Sequence, residues 1–229
     1  MKILNTQQYE KLKIRSVNAS DLKIYNKFNN IYKFFPKDKN ELRDIIIERI
    51  KTTHRYDCDF NDIDVSKITD FSKLFKCKPL MEFNGDISKW DVSNAEQMQC
   101  MFYDLNHFNC NLNDWNVSNV VNMTNMFAGC TVFNSPINDW DVSNVMNMEA
   151  MFAACYEFNQ PLDKWHDKLG HVKNMIRMFY NCHKFDQDLS SWEISMSNTN
   201  TTNMFADKIN NQYGHYNVIS QKHKPRLII

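Results

Sequence analysis

The sequence predicts an α/β solenoid of about six coils, each about 25 residues long and built from a short strand and a short helix, with a helical cap at the N-terminal end. Three ladders predict it. Tryptophan recurs at Trp90, Trp115, Trp140, Trp165 and Trp192, in steps of 25, 25, 25 and 27 residues. A Met-Phe pair recurs, ending at Phe102, Phe127, Phe152, Phe179 and Phe205. A Phe-Asn pair opens units at Phe83, Phe108, Phe133 and Phe158, and Phe185-Asp186 takes the same place in the last copy. Self-similarity at such a period marks a repeat architecture. One repeat cannot bury its own apolar edge, so neighbours stack and the rungs of each ladder cover one another.

Three regions follow: a helical segment and cap over 1–57, the repeats over 58–209, and a tail over 210–229. In the first, Leu22, Tyr25, Phe28, Ile31, Tyr32 and Phe35 suggest one helix. KNELRDIIIERIKTT (39–53) predicts a second, with Leu42, Ile45, Ile46 and Ile50 on one face and Asp38 or Asn40 as its cap. A degraded unit follows: Ile63-Asp-Val-Ser-Lys-Ile68 stands for WDVSNV, and Phe71…Leu74-Phe75 for the Met-Phe phrase. Within each full unit, F-N-x-x-[IL]-x-x-W-x-V-S concentrates β-branched and aromatic residues, the signal for a strand of about 3–5 residues. Ser93, Ser118 and Ser143 then stand as helix N-caps, Ser93 with Glu96 at capping-box spacing. Val120, Met123, Met126 and Phe127 are read as one face of the short helix. In the tail, Lys222, Lys224 and Arg226 precede Leu-Ile-Ile. The end is read as loose or as a strand covering an edge, with a partner-binding tail as the alternative.

Composition removes several function classes. Lys+Arg and Asp+Glu are both 27, so no basic excess drives binding to nucleic acid. Only 4 glycines are present, which argues against glycine-rich phosphate loops. The start, MKILNTQQYEKLKIRS, turns polar after four residues, unlike a secretory leader. No stretch approaches the roughly 20 apolar residues of a membrane span. The expected setting is intracellular (cytoplasmic) or a virion. Seven cysteines, an odd number without scaffold spacing, suit a reducing interior. Of the four sequons, Asn116, Asn122 and Asn200 fall inside the repeated phrases, where a glycan would obstruct stacking.

No chemistry is apparent on the repeats. Cys130, Cys155 and Cys182 share one repeat position, with Cys77 near it, and no CxxC pair is present; they read as inward thiols. His166, His171, Cys182 and His183 gather near the insertion WHDKLGHV and read as a polar loop rather than a zinc site. Asp64, Asp91 and Asp141 recur with the phrase, as turn and cap residues do. Asn84, Asn109, Asn134 and Asn159 are expected to satisfy backbone groups between coils. No catalytic, cofactor-binding or metal residue is assigned, and the chain is expected not to be an enzyme.

The phrase FNxxIxxWDVSNVxxMxxMFxxC resembles the BspA-type leucine-rich repeat of bacterial surface proteins and mycoplasma lipoproteins, over roughly residues 36–209. Pro36 to Ser66 is similar to that family's entry segment. The resemblance implies a right-handed, leucine-rich-repeat-like solenoid with a recognition role and no catalytic residues. The expected function is protein–protein interaction through the solenoid's sheet face. Its contact residues would be those that vary just before each Trp: Ser88, Lys89, Asn113, Asp114, Asn138, Asp139, Lys164, Ser190 and Ser191. A structural or assembly component, such as a minor capsid protein of a large DNA virus, and a surface adhesin are the alternatives.

Overall fold

The structure, a computed structural model, describes residues 32–195, 197–205 and 224–228. The apolar pattern before residue 32, the leader reading, the fourth sequon (Asn18) and Lys222 lie outside the described residues.

Helix α1 spans Lys39–Thr53. Asp38 begins it: its carboxylate accepts the N–H of Asn40 (2.9 Å) and of Glu41 (3.0 Å), two of the donors a helix start leaves unpaired. His54 ends it in the left-handed region, at φ 55°, with its N–H on the Ile50 carbonyl. Leu42, Ile46 and Ile50 are buried, each four residues from the next, so one stripe faces the core. Polar residues pin the helix to the first repeats. Arg43 donates to the carbonyls of Leu74 and Lys73, both at 2.7 Å. Lys39 reaches Asp70 and Ser72. The Arg49 guanidinium lies 4.9 Å from the Phe34 ring and 5.0 Å from Phe60, and bonds Asp62.

The repeats do not have the expected architecture. Among the described residues, regular structure outside α1 amounts to two short 3₁₀ turns, Lys78–Leu80 and Asp163–Trp165, and two three-residue strands. These are β1 (Glu193–Ser195) and β2 (Arg226–Ile228), paired in parallel. Among the described residues no coil pairs a strand with a helix and no continuous sheet face exists, so the α/β solenoid of strand-helix coils is overturned.

The physical reason lies in the spacing of the apolar residues. In one coil, Val117, Val120, Met123 and Met126 are all buried and recur strictly every third residue. A helix turns by about 100° per residue, so Val117 and Met126, nine apart, would face opposite ways. The chain instead strings together single turns closed from residue i to i−3. Val120 bonds the Val117 carbonyl (2.9 Å), Met126 that of Met123 (3.1 Å), and Cys130 that of Phe127 (2.9 Å). The N–H groups between these turns leave their own coil. Val121 donates back to Glu96 in the preceding coil, while Met123, Asn125, Phe127 and Gly129 donate forward to Asn147, Glu149, Met151 and Ala153. A helix would need those donors inside its own segment. Left-handed residues break any continuation, at Asn125 (φ 53°) and Gly129 (φ 81°), and at Cys100, Ala150 and Arg177 in sister coils. Ser93, Ser118 and Ser143 therefore cap no helix. Their N–H groups close turns onto the side chains of Asp91, Asn116 and Asp141, each at 3.1 Å.

Successive coils still lie one on the next. Single parallel bridges join Asp70, Gln97, Asn122, Asn147, Asn174 and Asn200 in a line. The rings of Phe75, Phe102, Phe127, Phe152, Phe179 and Phe205 follow at 5.3–5.7 Å between centroids. Each indole N–H donates to a main-chain carbonyl of the coil before it: Trp90 to Phe60, Trp115 to Ile87, Trp140 to Leu112, Trp165 to Ile137 and Trp192 to Leu162. The side chain that fills the core thus also fixes the register. At the far end, β2 lies against the last coil, and the Arg226 N–H bonds the Trp192 carbonyl at 2.8 Å.

Candidate functional site

The repeat positions sort by where their polar groups point. Those of the Phe-Asn phrase serve the stack. The side-chain oxygen of Asn84 accepts the N–H of Asn109, that of Asn109 the N–H of Asn134, that of Asn134 the N–H of Asn159, and that of Asn159 the N–H of Asp186, at 2.8–3.0 Å. The thiols of Cys130, Cys155 and Cys182 are buried and donate to the carbonyls of Phe102, Phe127 and Cys155. Burial pushes the pKa of Cys130 and Cys155 well up, which disfavours the nucleophilic thiolate. The residues around the insertion are drawn to separate partners: His166 to the Asp163 carbonyl, His171 to that of Ser143, and the His183 ring to Tyr156. No group of three His, Cys, Asp or Glu side chains suited to a metal occurs among the described residues.

The positions before each Trp form an edge rather than a sheet face. Asn113, Asn138, Asp139 and Lys164 are brought together. Asn113 and Lys164 both bond the Asp139 carboxylate, and Asn138 donates to Asp163 at 3.0 Å. The Lys164 cation, then the Asn113 amide, hold the Asp139 carboxyl below the usual carboxylate range, and Asp139 in turn raises Lys164. The N–H of Lys89 goes to Asn61, and those of Ser88 and Ser190 close local turns on Asp86 and Asp188. Asp114 and Ser191 are exposed on the same edge. Much of this edge is therefore engaged with its own neighbours.

A second surface was not singled out by the sequence. An open groove of about 850 Å³ runs along the stack across five coils. One wall is Lys67, Asn94, Asn119, Asn144 and His171; along its other side run Thr69, Glu96, Val121, Met146 and Lys173. The Asn wall is rigidly set. The Asn94, Asn119 and Asn144 amides donate to the carbonyls of Ser66, Ser93 and Ser118 at 2.7–2.8 Å, and the His171 ring nitrogen Nδ1 sits 2.8 Å from that of Ser143. With each amide nitrogen on a carbonyl, these exposed asparagines keep their side-chain oxygens as acceptors. On the other side the main chain is paired coil to coil: Glu96 to Thr69, Val121 to Glu96, Met146 to Val121 and Lys173 to Met146. The side chains there differ in every coil, and Met146 is 48% exposed. The signal was present in the sequence, since Thr69, Glu96, Val121, Met146 and Lys173 occupy one variable place inside a recurrent phrase.

Stacked turn-built coils, closed by a helix at one end and a short strand at the other, define a repeat protein. The chain matches a family model described as "Mycoplasma protein of unknown function, DUF285" over residues 46–165 and 105–217. It belongs to that family. No curated protein matches it, and neither does any solved structure. No helix among the described residues is long and apolar enough to cross a membrane.

Proposed function

We propose that this protein is a non-enzymatic interaction module that binds another protein along its stack of repeats, and that the repeats are of the BspA type. The groove carries this reading. Recurrent positions are committed to holding coil on coil, while the groove presents a fixed row of acceptors beside side chains that differ from coil to coil. A repeat surface of that kind gives recognition by variation on a constant frame. The recurrent WDVSN and Met-Phe phrases support the BspA-type assignment.

The test is site-directed photocrosslinking of the full chain in an extract of its source cells. A photoreactive residue placed at Asn119, in the groove, should yield a discrete protein adduct. One placed at Asp114, on the edge before Trp115 and outside the groove lining, should not. Adducts at Asp114 alone move the interface to the edge. The interaction reading fails if the protein is recovered without adduct from both positions. The structural-component and adhesin readings have no separate observation in their favour.

A further inference from the structure

We propose that the groove takes an extended acidic-apolar peptide of about six residues, with an apolar side chain over Val121 and Met146 and an acidic group at the His171–Lys173 end. This rests on the interaction reading above and names the chemistry of the partner. Length comes first. Rows from Thr69 to Lys173 cross four steps between coils. At the parallel-strand spacing of about 4.8 Å that is about 19 Å. An extended chain covers it with about six residues at about 3.3 Å each.

Charge and polarity then fix the pattern. The centre is apolar, with Val121 half-buried and Met146 exposed. The cations Lys67 and Lys173 stand at the two ends, and Glu96 is the single carboxylate of the lining. Glu96 belongs to the coil next to Lys67 and lies three coils from Lys173, so the Lys173 end of the lining carries a cation and no carboxylate. An acid on the ligand is favoured there and a base disfavoured, and exclusion of the wrong charge is itself a source of specificity. The side-chain oxygens of Asn94, Asn119 and Asn144 accept from N–H or O–H groups of the peptide, in its backbone or its side chains.

The test is selection of random hexapeptides displayed against the full chain, and again against Met146→Glu and Lys173→Glu. Both residues are exposed. Melting curves confirm that the variants fold. The expected winners carry an apolar residue within two positions of Asp or Glu, and lose at least tenfold in affinity against Met146→Glu. Against Lys173→Glu the selection should switch to Lys or Arg at the acidic place. The proposal is overturned if no sequence is enriched above a control protein, if winners show no acidic preference, or if they bind Met146→Glu unchanged. A glycan array on the same sample covers the other class of polymer, and groove-dependent glycan binding without peptide enrichment also overturns it. If crosslinking at Asn119 captures a protein while no hexapeptide is enriched, the groove remains the interface and the extended-peptide inference alone fails.

Discussion

Helix α1 and the stretch from Val117 to Phe127 look alike as sequence and differ as structure. The first is 15 residues and the second 11, each with apolar side chains every third or fourth place. In α1 the buried residues Leu42, Ile46 and Ile50 are four apart, and the one stripe they form needs a single surface to rest on. In the coil the spacing is three, and every second main-chain donor in Met123–Gly129 leaves for the next coil. The helix satisfies its backbone internally and could in principle move as a unit. The coil satisfies its backbone through its neighbours, so its conformation is a property of the stack. The difference teaches that apolar spacing selects secondary structure only when the segment's hydrogen bonds stay inside it.

The most forceful way to break the comparison is to remove a rung that serves both core and register. Trp140→Ala leaves a cavity and takes from the Leu112 carbonyl one of its two donors, the Trp115 N–H remaining, and is expected to lower unfolding free energy by about 3–5 kcal/mol. Ile46→Ala, in α1, should cost about 2–5 kcal/mol through packing alone. Urea titration distinguishes them by slope as well as midpoint, because loss of α1 docking should leave a stack that still unfolds cooperatively, whereas Trp140→Ala should lower that transition itself. If both variants unfold identically by far-UV and tryptophan fluorescence, the two regions are one cooperative unit.

Next in size is Asn109→Ala. It removes the acceptor of the Asn134 N–H, while the buried Ser135 hydroxyl loses the side-chain oxygen and keeps the Asn109 main-chain carbonyl at 2.9 Å. A loss of about 1–3 kcal/mol is expected in chemical denaturation. A neutral result would show that water replaces the Asn ladder.

Glycine gives opposite signs in the two regions. Ala150 stands at φ 51°, where an L-residue is strained. Ala150→Gly should raise stability by up to about 1 kcal/mol. Glu48→Gly, within α1, should lower it by about 1 kcal/mol. Thermal melts of the two single variants are enough, and the same sign in both would refute the left-handed geometry of the coil.

The smallest effect is on pH. Burial pushes the Asp70 carboxyl up, but the bonds from Lys39 and Ser72 outweigh it, and its pKa ends lowered. A lowered folded pKa means that the stabilisation is present above the unfolded value of about 3.9 and is lost as pH falls through the folded one. The pair is partly exposed, so less than about 1 kcal/mol is at stake. Asp70→Asn should flatten the acid limb of the stability profile below about pH 4, and an unchanged limb would remove the pair from the account of α1 docking.

Several elements were legible in the sequence. Leu42, Ile46 and Ile50 with Asp38 before them specified α1, because a helix of this kind is decided within its own segment. The Trp, Phe and Asn ladders identified the stacking partners, because an apolar or amide group recurring at one period has its equivalents as neighbours. The strands and helices expected inside each coil were not legible, since i→i−3 turns place residues as a short helix does until strict threefold spacing is followed for nine residues. The edge residues from Ser88 to Ser191 were located together, but their bonding to each other was hidden: nothing in the string shows that Asn113 and Lys164 meet on Asp139. The groove was missed for the same reason, although its variable row was in view.

The sequence by itself determined that there are repeats, which residues pack against which, and where helix α1 begins. Those are consequences of side-chain identity and period, which a linear string carries in full. The tertiary structure alone decided the backbone of each coil, the engaged edge and the open groove. Main-chain donors carry no sequence label, and theirs go to carbonyls about 25 residues away along the chain. That choice is made only when neighbouring coils are already present to receive them.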